Sequence, residues 1–308
     1  MISWIFYRVW FAEPFVRWLL YRLPNLKKKI KKNTKSKPIA KKAFDANGWE
    51  QYKSTVLADI NNDDILLVHA SMDGLDNLGV DEEIVFDFLK SLVEKGCTVV
   101  CTAFPITNLK DKDHKMKAYN PEITPCWTGM LSNRFISEPG VIRSAVPYNS
   151  LAAMGPKAAE MMQDNIQAEY VYGDHTPWKY LVEHHAKILF IGTTSVDSNT
   201  IQTHMLADYM GPQWPIDNWY EQFECPVKIN GEKIEKKLNI QSVFWTQYVM
   251  DYATTRKLEK NGYLRKYDIN GCPFEIVADS KAMLDYLAAE CKKGKLTYLI
   301  PKKYWRNR

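Results

Sequence analysis

Cysteine is scarce in this chain of 308 residues, and the six present form no CxxC pair. That speaks against a disulfide scaffold and against a structural zinc site, and it suits a reducing compartment. No charge-free stretch of 18 apolar residues occurs, which excludes a conventional membrane-spanning helix. There is no internal repeat and no glycine-rich phosphate loop. A nucleophile elbow is missing too, because Gly192-Thr193-Thr194-Ser195-Val196 departs from GxSxG.

What is present is ample for a packed core. Hydrophobic residues make up 46% and charged ones 25%, the balance of an ordinary globular domain. The net charge of +5 conceals an asymmetry: residues 1–42 hold nine Lys and three Arg against Glu13 alone, and the remainder is net acidic. The first of these residues are rich in Trp, Phe, Leu and Ile, with Pro14 placed to start a helix. A lysine run follows from Lys27. A secretory signal puts its charges ahead of the apolar stretch; here the order is reversed. Two readings stand open: an interfacial helix drawn to an anionic membrane surface, or a helical extension docked on the body. Nucleic acid is not expected as a partner, since the body shows no basic groove.

From about Ala43 the pattern is that of an α/β domain. Residues 50–60 read as a helix, and the apolar run 65–68 as a buried strand. The 3.6-residue period then gives a helix over 82–95, and a strand follows over 97–102. This order predicts a right-handed βαβ unit. Residues 105–126 form a proline-punctuated excursion of the kind that carries function, with Cys126 the one cysteine placed for exposure. Helices are predicted over 127–136, 156–162, 178–184 and 200–209, strands over 150–154 and 187–191, and a hairpin turn at Asn230-Gly231. Two helices near 243–260 and 280–293 complete the pattern. The expected architecture is a single domain, 43–308, around a mixed or parallel sheet with flanking helices, preceded by the extension 1–42.

In such a sheet, ligands bind beyond the carboxyl ends of the strands. Residues 69–72, the loop after Thr102 and residues 192–200 lie there. His204 and Asp208 stand four apart on the predicted helix 200–209, where an acid could orient a histidine base. The same spacing also describes a plain surface pair.

Several segments carry a family resemblance. They are Val68-His69-Ala70-Ser71-Met72, Pro121-Glu122-Ile123-Thr124-Pro125-Cys126-Trp127-Thr128-Gly129-Met130-Leu131, and Pro139-Gly140-Val141-Ile142-Arg143-Ser144. Ser150-Leu151-Ala152-Ala153-Met154-Gly155-Pro156 and Asp197-Ser198-Asn199-Thr200, leading to His204, continue the order. Over residues 50–215 the chain resembles the aminoglycoside 3-N-acetyltransferase family.

The resemblance implies acetyl-coenzyme A as cosubstrate, with no metal. It places His69, Ala70, Ser71, Thr128, Gly129, Arg143 and Ser144 around the cofactor. His204 becomes the general base, backed by Asp208, in a direct transfer to an amine or hydroxyl. Two departures stand out. The family's H-x-A-E helix here reads His204-Met205-Leu206-Ala207-Asp208, and its H-P-x-x-S segment here begins with Val146. With the basic extension, these departures direct the expectation toward an amino sugar or polysaccharide precursor as acceptor. The expected location is cytoplasmic, with the extension at the inner membrane face. Aminoglycoside acetylation is the alternative, as is a non-catalytic member that binds a partner or membrane.

Overall fold

The computed structural model describes residues 12–23, 42–105, 118–198 and 201–306, together with Phe6, Arg8, Val9 and Asn25. The lysine run from Lys27 and most of the excursion after Pro105 lie outside the described residues. No helix among those described is long and apolar enough to cross a membrane.

Three strands form the centre: β1 (Ile65–Ala70), β2 (Thr98–Thr102) and β5 (Lys187–Ile191). β1 pairs in parallel with both β2 and β5. Antiparallel strands extend the sheet on each side. β4 (Leu151–Met154) and β3 (Ile142–Arg143) lie beyond β2; β9 (Cys272–Val277) and β8 (Arg265–Ile269) lie beyond β5. The seven-stranded order is β3-β4-β2-β1-β5-β9-β8.

The central strands are apolar on both faces because both faces are covered. Successive residues of β1 alternate between two cores: Ile65 and Leu67 join one, Leu66 and Val68 the other. The second core is closed by α2 (Ala46–Leu57), α3 (Glu82–Glu94) and α4 (Met130–Ile136). α3 begins where the sequence signals it: the Asp81 side chain accepts from the Ile84 amide, and Glu82 and Glu83 occupy its first turn. The first core is closed by α5 (Ala158–Met162), α6 (Pro177–Glu183) and α10 (Ser280–Lys292). The long hairpin of β6 (Tyr220–Ile229) and β7 (Glu232–Gln241) completes it.

Three expectations are corrected. The predicted helix 200–209 is two short helices, α7 (Ile201–His204) and α8 (Leu206–Met210). Met205 between them has ψ −12°, flatter than the helical value near −42°. The predicted helix 243–260 is a 3₁₀ segment, Val243–Tyr248, and then α9 (Asp251–Lys260). Val249 between them turns extended and bridges to Tyr298. β8 and β9 are also new, although their turn, Asn270-Gly271, has the positive φ angles seen at Asn230-Gly231. All six cysteines, Cys126 included, are buried and unpaired by disulfides.

From the extension, helix α1 (Ala12–Arg22) packs on Val243–Tyr248. Glu13, only 2% exposed, accepts from the Tyr252 amide, and Arg17 reaches Asp251 at 2.7 Å. Glu13 and Arg17 are thus turned into the protein, while Arg22 stays exposed.

At the carboxyl edge, two loops meet backbone to backbone. A Cβ built on Gly74 would lie 1.7 Å from the Gly192 carbonyl oxygen. One on Gly192 would lie 2.4 Å from the Ser71 oxygen. The Tyr52 hydroxyl pins this junction, accepting from the Gly192 amide and donating to the Pro273 carbonyl. Gly74→Ala should therefore cost at least about 2 kcal/mol through forced separation of the loops. Urea unfolding would measure it, and a midpoint equal to wild type would refute the contact.

Candidate active site

A cavity of about 780 Å³ opens at the carboxyl edge of β1, β2 and β5, within the range of small-molecule sites. The strand ends supply His69, Ala70 and Thr102, and the loops that follow supply Ser71, Met72, Asp73, Thr193, Asp197 and Ser198. Phe104, Trp127, Thr128 and Gly129 form a second side. His204, Gln241, Val243 and Thr246 form a third. Of the predicted cofactor residues, His69, Ala70, Ser71, Thr128 and Gly129 are thus gathered on one cavity with His204. Among the described residues no cluster of three or more metal-ligating side chains forms.

His69 is 6% exposed and lies flat on the Phe190 ring at 5.1 Å. Burial pushes its pKa down to about 4, so it is neutral at ordinary pH. Its Nε2 is buried with no hydrogen-bond partner within the protein, the kind of orphan that a ligand satisfies. Thr128 Oγ1 donates to the Thr102 carbonyl, which ties the second wall to the end of β2. A side chain on Gly129 would meet nothing within 4 Å, so this wall is open to a bound molecule.

Arg143 and Ser144 do not line this cavity. Arg143 donates through Nε and Nη2 to the Ala103 carbonyl and through Nη1 to the Thr124 carbonyl, with its guanidinium over the Tyr119 ring. Three of its N–H groups serve the backbone, so it braces the excursion, and it lines a separate cavity of about 590 Å³. The Ser144 hydroxyl donates to Asn165 Oδ1 and is fully buried. Arg143→Ala should destabilise the fold by about 2–4 kcal/mol, because the buried Ala103 carbonyl and the partly buried Thr124 carbonyl lose their donors. Thermal unfolding with and without acetyl-coenzyme A separates this from selective loss of cofactor affinity.

His204 keeps its predicted place on the cavity, but its partner is different. The Nδ1 atom hydrogen-bonds the Tyr298 hydroxyl, and Tyr298 lies 3.2 Å from Gln241 Oε1. Burial, and then the nearby charge of Arg17, holds the His204 pKa down to about 4. Asp208 turns elsewhere. It lies beyond the Met205 junction in the next short helix, and its Oδ1 accepts from the Tyr220 hydroxyl at 3.2 Å. Burial lifts the Asp208 pKa to about 7. Sequence reasoning missed Tyr298 and Gln241 because they are 94 and 37 residues from His204 and no local spacing joins them.

A family model described as aminoglycoside 3-N-acetyltransferase matches residues 67–287. The chain belongs to that family. It is 28% identical to aminoglycoside N(3)-acetyltransferase IX of Micromonospora chalcea over 144 residues. That is 46% of this chain and 48% of the relative, so the match spans about half the relative's length. Solved structures of the family share the fold. AAC-IIIb as a binary complex with CoASH has a TM-score of 0.65 at 20% identity, covering 79% of this chain and 96% of that one. A mutant of AAC(3)-IVa in complex with apramycin has a TM-score of 0.62 at 17% identity, covering 86% and 97%.

The raised Asp208 pKa gives a signed expectation for this family member. Stability contributed by the protonated acid is full below the ordinary 3.8 and is lost as pH rises through about 7. Asp208→Asn should therefore raise the melting temperature more at about pH 8 than at about pH 5. Its turnover should stay within about threefold of wild type, because Asp208 does not hold the His204 ring. An equal shift at both pH values would sink the assignment.

Proposed function

We propose that the protein is an acetyl-coenzyme A-dependent N-acetyltransferase acting on an amine of an aminoglycoside-type acceptor, with His204 as general base. The observation that carries this is a neutral, oriented imidazole on the wall of the cavity at the carboxyl edge, in a chain of this family. The comparisons support this acceptor better than the polysaccharide precursor suggested by the sequence, and nothing in them supports a membrane partner.

The residues present suit the cosubstrate. His69 Nε2 lacks a partner in the protein, Ser71 and Thr128 offer hydroxyls, and Gly129 leaves its wall clear. When bound, acetyl-coenzyme A supplies a thioester whose carbonyl carbon an amine can attack. His204 would take the amine proton on Nε2 as the nitrogen bonds to that carbon and the C–S bond breaks, and the imidazolium would hand that proton to the departing thiolate. For this the ring needs its proton on Nδ1, donated to Tyr298, whose hydroxyl in turn donates to Gln241 Oε1. Burial keeps the Tyr298 phenol neutral, so it orients the ring without adding charge. A base with a pKa near 4 is almost wholly in its accepting form at neutral pH. The attacking nitrogen grows more acidic as its bond to carbon forms, so such a base suffices. Asp73 and Asp197 give the cavity acidic side chains for a cationic acceptor.

His204→Ala should lower kcat by about 10²–10⁴-fold with little change in acetyl-coenzyme A affinity. Tyr298→Phe should lower kcat by about tenfold, since the ring loses its orienting partner. Turnover measured across aminoglycosides, free amino sugars and nucleotide-linked amino sugars tests the acceptor. Acetylation of an amino sugar with none of any aminoglycoside would overturn the proposed substrate class.

A further inference from the structure

We propose that helix α1 is a positioning element of the acetyl-transfer site, acting through Glu13 and Arg17 on the segment that fixes Tyr298 behind His204. The inference rests on His204 being the base.

Three sets of contacts make the connection. First, residues 248–250 hold the Tyr298 backbone: the Leu299 amide donates to Tyr248, the Met250 amide donates to Thr297, and Val249 bridges to Tyr298. Second, α1 grips the next two residues. Arg17 Nη2 lies 2.7 Å from Asp251 Oδ2, its Nε donates to Glu13 Oε1 at 3.0 Å, and Glu13 Oε2 accepts from the Tyr252 amide at 2.9 Å. That amide lies in the first turn of α9, whose N-cap residue Met250 makes no side-chain cap. Glu13 thus caps α9 from another element. Third, α1 packs on Val243–Tyr248, where Val243 and Thr246 line the cavity. Tyr21 meets Phe244 edge-on in this contact.

The charges make the arrangement demanding. Glu13 and Asp251 are both buried acids whose pKa values burial raises, and Arg17 lies between them. Without Arg17, the two acids would lose the guanidinium that joins them and would have to take up a proton or move apart. The positive charge of Arg17 is also felt at the His204 ring. The family model spans residues 67–287, so both α1 and Tyr298 lie outside the matched stretch while His204 lies within it. The two ends of the His204 support, α1 and Tyr298, thus lie outside the family pattern, while the segment that joins them lies within it.

A structural role alone would lower stability and leave the turnover of folded protein intact. The test compares full-length Arg17→Gln, Arg17→Lys, Asp251→Asn and His204→Ala by kcat, KM and thermal midpoint, assayed well below the midpoints with acetyl-coenzyme A and the best acceptor found. Arg17→Gln should lower kcat by about ten- to hundredfold, the cost of small misplacement at a reacting centre. KM for acetyl-coenzyme A should stay within about twofold, and Arg17→Lys should recover most of the loss. A reduced midpoint with unchanged kcat in Arg17→Gln overturns the proposal. If that variant does not fold, the same comparison is read from Asp251→Asn, and unchanged kcat there overturns it. Wild-type turnover in His204→Ala would instead overturn the base assignment itself. Lost turnover there, with normal kcat in the α1 variants, would remove the α1 inference alone.

Discussion

Everything in this protein depends on three parallel strands that must be covered on both faces. Parallel pairing sends each connection over the sheet, and the double burial of β1, β2 and β5 leaves no solvent-facing side. The strand ends then emerge together at one edge. There the loops must bend away, and they can do so only where Gly74 and Gly192 let two backbones touch. The cavity is the space those loops and the β6–β7 hairpin leave between them. The site is thus a product of how the sheet is closed.

The chemistry of the cavity is governed by desolvation more than by ion pairing. His69 and His204 are neutral, Asp208 is readily protonated, and the Tyr298 phenol stays un-ionised. A paired set, Glu13, Arg17 and Asp251, sits behind the wall. A neutral interior lets a cationic acceptor bring its own charge, and it lets the imidazole accept a proton without competing water. It also has a cost in range. His69 and the half-buried His204 contribute stability that is full above about pH 6.5 and is lost as pH falls through about 4.

Much of this was legible in the sequence where the signal is local. The strand 187–191 and the helix over 82–94 follow from an apolar run and from a capped 3.6-residue period. The residues gathered on the cavity from His69 to Gly129 come from contiguous family motifs. Legibility ended where one geometric detail outweighed spacing. His204 and Asp208 share a face on an unbroken helix, but Met205 interrupts that helix and the pair parts. The family resemblance placed Arg143 beside the cofactor, yet three of its donors serve backbone carbonyls and it does not line the cavity of His69 and His204. Tyr298 could not be read at all, because a partner 94 residues away leaves no periodic trace.

The reach of these contacts has a kinetic side. Arg17 meets Asp251 across 234 positions, and His204 meets Tyr298 across 94. Contacts of such separation close large loops and form after the local βαβ units have settled. A chain halfway to its native state would carry the β1–β2 unit and the β6–β7 and β8–β9 hairpins, but no oriented imidazole. Activity should therefore return later than secondary structure during refolding. The lag between the two would record the docking of distant segments, while the appearance of helix and strand would record the sheet alone.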